Sequence, residues 1–235
     1  MWALLALACG DPGEVDQQVG YRDGADGGST NGERGNVVIS EVLWSGSVDA
    51  DGVWDPSDVF VELRNQGTRP VNVKGWQIQQ DGTLRETYVV PTDLWIEVGA
   101  HAFIVAKTTG CFPDADAVIP ELQFPGGDPF RLTLRDIDER LIEGAGDREM
   151  PPFAGGYDLV RSRSMERVEL MFGGRGTEPG SWHYYTTAGL DGNGTLEIEP
   201  NYVNVLEGCR SHTLASPGWP NSPDYSGAYS TGSFE

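Results

Sequence analysis

Asp58–Gln79, DVFVELRNQGTRPVNVKGWQIQ, decides the fold. Val59, Val61 and Leu63 alternate with Phe60, Glu62 and Arg64. Such alternation marks a β-strand with one face toward a core. Asn65 to Pro70 interrupts it with residues that favour turns. A second strand opens with Val71 and Val73 pointing inward, yet beyond Lys74-Gly75 the inward set becomes Trp76 and Ile78. The apolar phase has moved by one position. A β-bulge at the glycine absorbs such a move, because an extra residue returns the apolar side chains to the core face. Trp76 is then the expected centre of the core.

Outward from this stretch the same pattern recurs. Val37 to Trp44 alternates as a first strand, and Ser45 to Ser57 reads as a loop. Ala102 to Ala106 is apolar throughout, as in an internal strand covered on both faces. Phe130, Leu132 and Leu134 alternate with Arg131, Thr133 and Arg135. Leu141-Ile142 resumes after an Asp136–Arg140 turn, which makes a second hairpin. Trp182 to Thr187 reads as an aromatic strand or sheet edge. No stretch carries a convincing helical period. Short strands broken by turns, with 32 Gly and 15 Pro in 235 residues, predict an all-β sandwich with long loops.

Several of these pieces resemble the lamin tail domain family in its bacterial form. They are Val37–Val42 (VVISEV), Glu62-Leu63, Pro70-Val71, Gly75-Trp76, Gly99–Val105 (GAHAFIV), Ser164–Arg167 (SMER), and Ser216-Pro217-Gly218 with Asn221. The pieces follow in the family's order across residues 36–221. The resemblance implies an immunoglobulin-like β-sandwich; it does not imply an activity, since this family is known mainly as a binding or accessory module.

The formal charge is -20, from 16 basic and 36 acidic residues. An acidic surface repels polyanions, so nucleic acid and anionic lipid surfaces are poor partners. Arg161, Arg163 and Arg167 form the only dense basic cluster along the chain, and it reads as a solvated stretch leading into a strand.

The ends differ from the middle. Trp2 to Ala8 (WALLALA) is apolar and stops at Cys9-Gly10. It is too short to span a bilayer, which takes roughly 20 residues, but it suits the end of a signal peptide. Leu7-Ala8-Cys9 resembles the close of a bacterial lipobox, in which the cysteine carries lipid. Ala6 stands where leucine is usual, and no Lys or Arg precedes the apolar run. A start codon placed too far downstream accounts for the second departure. Residues 1–9 are therefore expected to be a truncated signal peptide with Cys9 lipidated, and residues 10–35 a flexible acidic linker. Residues 36–221 form the sandwich, and residues 222–235 a disordered tail. The localisation that follows is the bacterial cell envelope, outside the cytoplasm and lipid-anchored. With Cys9 assigned to lipid, Cys111 and Cys209 remain for a disulfide in an oxidising compartment, the alternative being two separate buried thiols.

Catalytic signatures are weak. No Gly-x-Ser-x-Gly elbow, phosphate loop or dinucleotide fingerprint occurs. His101, His183 and His212 have no metal-binding spacing, and Glu41 and Glu62 lie on expected strands, either paired or facing solvent. The reading is a non-catalytic, membrane-tethered binding or display module for envelope polysaccharide or a protein partner. The alternatives are a secreted hydrolase built from carboxylates with His183 or His212, and a nucleic-acid-binding module that the charge opposes. Trp44, Trp54, Trp95, Trp182, Tyr184, Tyr185 and Trp219 offer aromatic surface for recognition. One acidic loop, DADGVWDPSD, spaces Asp49, Asp51, Asp55 and Asp58 so that a turning backbone could gather them around calcium. The competing reading, which weighs more in so acidic a chain, is a solvated loop whose like charges repel.

Overall fold

The computed structural model describes residues 34–168, 174–186 and 204–223, and the backbone of 189–190 and 196–197. Cys9 and most of the linker and tail lie outside the described residues. The main strands are β1 (Val37–Leu43), β2 (Phe60–Asn65), β3 (Gln77–Gly82), β4 (Glu86–Val89), β5 (His101–Val105), β6 (Ala117–Val118), β7 (Phe130–Arg135), β8 (Leu141–Asp147), β9 (Met165–Arg167) and β10 (Trp182–Tyr184). They form a six-stranded sheet, β6-β5-β2-β1-β9-β10, and a four-stranded sheet, β8-β7-β3-β4. Only the β5–β6 pairing within these two sheets is parallel. The architecture is the expected immunoglobulin-like β-sandwich.

Alternation builds the core between the sheets. Val37, Ile39, Val61 and Leu63 meet Ile78, Leu132, Leu134 and Ile142, with Trp76 fully buried among them. The outer face of the six-stranded sheet is covered as well. There Leu43, Phe60, Phe103 and Val105 pack against Phe112 and Val205. Cys111 and Cys209 close this second cluster as the expected disulfide, with Cα atoms 5.9 Å apart. So β2 is buried on both faces, Phe60 as fully as Val61. The internal reading of Ala102–Ala106 holds for the same reason, since β5 runs between β2 and β6.

The phase change at Gly75 has a different cause from the expected bulge. Val71–Asn72 pairs with Trp95–Ile96, whereas β3 pairs with β4 and β7. Between them the chain changes sheets through a β-turn, closed by the Trp76 amide donating to the Val73 carbonyl at 3.0 Å. Gly75 takes φ 75° at the third position of that turn, the conformation in which an L side chain is strained. Gly75→Ala is expected to cost about 1–2 kcal/mol, read as a lower denaturant midpoint. An unchanged midpoint would contradict the turn.

A register shift does occur in β1, and another between β7 and β8 at Leu134/Arg135. In β1, Ile39 faces Leu63 and Glu41 faces Glu62, which leaves Ser40 as the extra residue. Core-facing residues therefore step from Ile39 to Val42, and Ser40 joins Glu41 on the side of Glu62. Bulges often re-aim side chains beside functional sites.

Two further boundaries differ from the sequence reading. The stretch 45–57 contains a hairpin, Ser47–Val48 against Trp54–Asp55. Ser222, expected in a disordered tail, is buried in the domain. At the other end the Gly35 amide already donates to the Ile142 carbonyl at 3.0 Å.

Candidate functional site

Strand order and the β1 bulge assemble a row of carboxylates. Glu166 on β9 faces Glu41 on β1, and Glu41 faces Glu62 on β2. His183 on β10 continues the row beside Glu166, and Phe103 on β5 ends it beside Glu62. All three glutamates are fully buried. An unpaired buried carboxylate is costly, so each needs donors.

The closing segment supplies one backbone amide to each. Ser216 donates to Glu41 at 2.9 Å, Gly218 to Glu62 at 2.6 Å, and Ser222 to Glu166 at 3.2 Å. Hydroxyls complete the shell: Ser40 donates to Glu62 at 2.5 Å, Ser216 Oγ lies 2.5 Å from Glu166, and Ser222 Oγ also bonds Glu166. Asn221 locks the clasp by donating to the carbonyls of Ser40 and Arg167. Gly218 has φ 75°, and a Cβ there would lie 2.3 Å from Asn204 Nδ2. Only glycine lets this backbone approach so closely. The pieces VISEV, EL, SMER and SPG with Asn221, scattered along the sequence, thus meet in one buried network.

The network resists full ionisation. Burial, then the neighbouring Glu166 and Glu62 charges, hold the Glu41 carboxyl well above the usual range. Burial pushes Glu166 up to about 7, against the opposing hydrogen bonds from Ser216 and Ser222. Three adjacent carboxylates in a low dielectric cannot all carry charge cheaply.

The histidines do not convert this row into a hydrolytic site. His101 Nδ1 lies 2.8 Å from Glu62, and its side chain is almost wholly buried. His183 Nδ1 donates to the Tyr184 carbonyl at 2.8 Å, and its Nε2 stands 3.8 Å from Glu166. Glu166 therefore lies between Ser216 and His183. A nucleophilic triad needs the reverse, with histidine between serine and acid. His212 lies elsewhere, its main chain held to Ser162.

The four loop aspartates are sent to separate tasks rather than to one calcium ion. Asp49 Oδ1 accepts the amides of Asp51 and Val53 at 2.9 and 2.8 Å and shapes the hairpin tip. Asp51 is exposed. Asp55 pairs with Lys107 and Ser57. Asp58 is buried, accepting the Ser47 hydroxyl at 2.5 Å and the Cys111 amide at 2.7 Å. Among the described residues no three acidic, histidine or cysteine side chains gather in a way that could hold a metal ion. The loop's spacing serves the hairpin and the placement of the disulfide.

The aromatic set divides as well. Trp182 and Tyr185 are core, and the half-buried Trp44 donates to the Ala154 carbonyl at 2.8 Å. Trp54, Trp95, Tyr184 and Trp219 remain exposed, with Trp54 stacked on Tyr157 at 4.9 Å between ring centroids.

A feature that sequence spacing does not reveal lies behind the clasp. A hollow of about 1040 Å³ shares Ser40 and Asn221 with it and is lined by Arg34, Arg64, Arg131, Arg167 and Arg175. Of the expected basic cluster only Arg167 takes part. Arg163 donates to the Tyr185 carbonyl instead, and Arg161 is exposed. Arg167 is buried, pairs with Glu143 at 3.3 Å and lies 5.3 Å from the centroid of the Trp182 ring. The gathering of these arginines is a product of the fold.

Residues 30–145 match the Lamin Tail Domain family, an immunoglobulin-like domain family. This covers β1 to β8 except the last residues of β8. The comparison with curated proteins finds no match.

Proposed function

We propose that this chain is a non-catalytic binding module held at a bacterial cell envelope by lipid on Cys9, with an envelope polysaccharide or a protein as its partner. One observation carries the binding part. Glu41, Glu62 and Glu166, with His101 and His183 beside them, are buried, and a large recess next to them is the arginine-lined hollow. Residues 30–145 match a family of non-enzymatic domains, which weighs the same way. The net charge of -20 disfavours nucleic acid.

The tether rests on Trp2–Cys9 and the polar stretch after it. Lipidation buries several acyl methylenes and so holds a protein at a membrane. Cells expressing the full chain and fed a clickable fatty acid are expected to label it, and Cys9→Ala is expected to abolish the label. Label that persists in the variant contradicts the anchor. Pull-down from envelope extract with the full chain tests the binding part, and capture of nothing beyond controls contradicts it.

A further inference from the structure

The hollow behind the clasp names a ligand chemistry, an inference that rests on the binding-module reading. Five of the chain's 16 basic residues line one recess in a protein of net charge -20. Glu143 is the one acidic residue among the described residues lining it, and Arg167 already takes it. Guanidinium groups brought together repel one another, and the cost grows as water is excluded. Oxyanions among them reverse the sign, because the planar fork of arginine matches carboxylate, sulfate and phosphate through paired hydrogen bonds.

Local detail agrees. Arg131 Nε is buried and has no hydrogen-bond partner among the described residues, and the same holds for Asn221 Oδ1. Such groups carry a desolvation penalty that a ligand can relieve. Gly144 lies against the Arg131 side chain, and a Cβ there would sit 3.3 Å from both Arg131 Nη2 and Thr177 Cγ2.

Size and shape narrow the class. About 1040 Å³ is far more than one inorganic ion fills and matches the upper range of small-molecule sites. Val38, Val98 and Leu141 add apolar surface to the lining, and no aromatic ring lines the hollow among the described residues. An acidic peptide could add as a strand along β8. That edge is already bonded by the chain itself, Gly35 to Ile142 and Gly146 to Gly176. A compact ligand remains. We propose that the hollow binds a short acidic oligosaccharide, its oxyanions held by Arg131, Arg175 and neighbouring arginines and its rings lying against Val98 and Leu141.

The test is calorimetric titration of the full chain with trigalacturonate, a sulfated heparin disaccharide, maltotriose and inorganic phosphate. At least one charged saccharide is expected to bind, the neutral one is not, and phosphate is expected to bind at least about tenfold more weakly because it reaches fewer arginines. Arg131→Gln and Val98→Glu are each expected to weaken the charged saccharide by at least about tenfold. Val98 is exposed, so its variant decides the matter if Arg131→Gln lowers the melting temperature. The proposal is overturned if neither charged saccharide binds, if maltotriose or phosphate binds as tightly, or if Val98→Glu binds like the parent. Failure of both saccharides alongside continued capture of an envelope component removes this ligand class alone. Failure of capture as well removes the binding-module reading too.

Discussion

Replacing Cys111 and Cys209 together by serine is expected to lower the unfolding free energy by about 2–5 kcal/mol. The cross-link joins residues separated by 98 positions, and long closed loops remove most entropy from the unfolded chain. Its role in the folded state is equally direct. It ties the segment around Val205 and Cys209 onto Phe60, Phe103 and Phe112. Ser216, Gly218 and Ser222, which supply the glutamate row, follow from that anchor along the chain. Asp58 prepares one end by accepting the Cys111 amide. Denaturant unfolding of the parent and the double variant measures the effect, since typical domains have only about 5–15 kcal/mol in total. Equal midpoints would contradict the staple.

The second large effect concerns pH, and its sign is opposite to that of most proteins rich in carboxylates. Burial holds Glu166 protonated up to about 7 in the folded chain, well above its ordinary value of 4.5. Between those values the folded state binds more protons than the unfolded state, so stability falls as pH rises. Below the window both states are protonated, and above it both are ionised with the full cost present. Glu166 alone accounts for a loss on the order of 3 kcal/mol between pH 5 and pH 8. Glu41 acts in the same direction for the same reason. Asp55, Asp93 and Asp158 are lowered from the ordinary 3.8, so their contribution is lost only at more acidic pH, outside the window. Self-repulsion of the acidic surface adds to the fall. Glu166→Gln keeps the shape without the charge and is expected to flatten the profile and to exceed the parent in stability at pH 8. Chemical denaturation at several pH values decides it, and parent stability that is level or rises from pH 5 to pH 8 contradicts the buried row.

Period-two alternation makes β1, β2 and the Phe130–Ile142 hairpin legible, and the unbroken apolar run Ala102–Ala106 does the same for β5, because a strand packed on a core writes its environment into its residues. The phase change at Gly75 was visible too, but alternation cannot distinguish a bulge from a turn that carries the chain to the other sheet. The bulge in β1 is written as the step from Ile39 to Val42, hidden inside what reads as one unbroken strand. Alternation sets Phe60 and Glu62 on the face opposite Val61 but leaves their cover open, because it comes from residues 204–222, far along the chain. The glutamate row depends on β9 lying beside β1, and the arginine hollow on bringing Arg34 to Arg175. Neither adjacency has a local signature. The acidic loop shows the converse: its spacing is real, but Asp49 turns a hairpin and Asp58 holds the Cys111 amide.

The closing segment seals the glutamate row as a structural clasp. Amide hydrogen exchange of the native chain at pH 7 tests this most directly. The amides of Ser216, Gly218 and Ser222 are expected to exchange among the slowest in the protein, through the same opening that frees the amides of β1 and β2. Exchange at those three positions as fast as at exposed loops such as Asp51-Gly52 would show the row open to solvent and contradict the account.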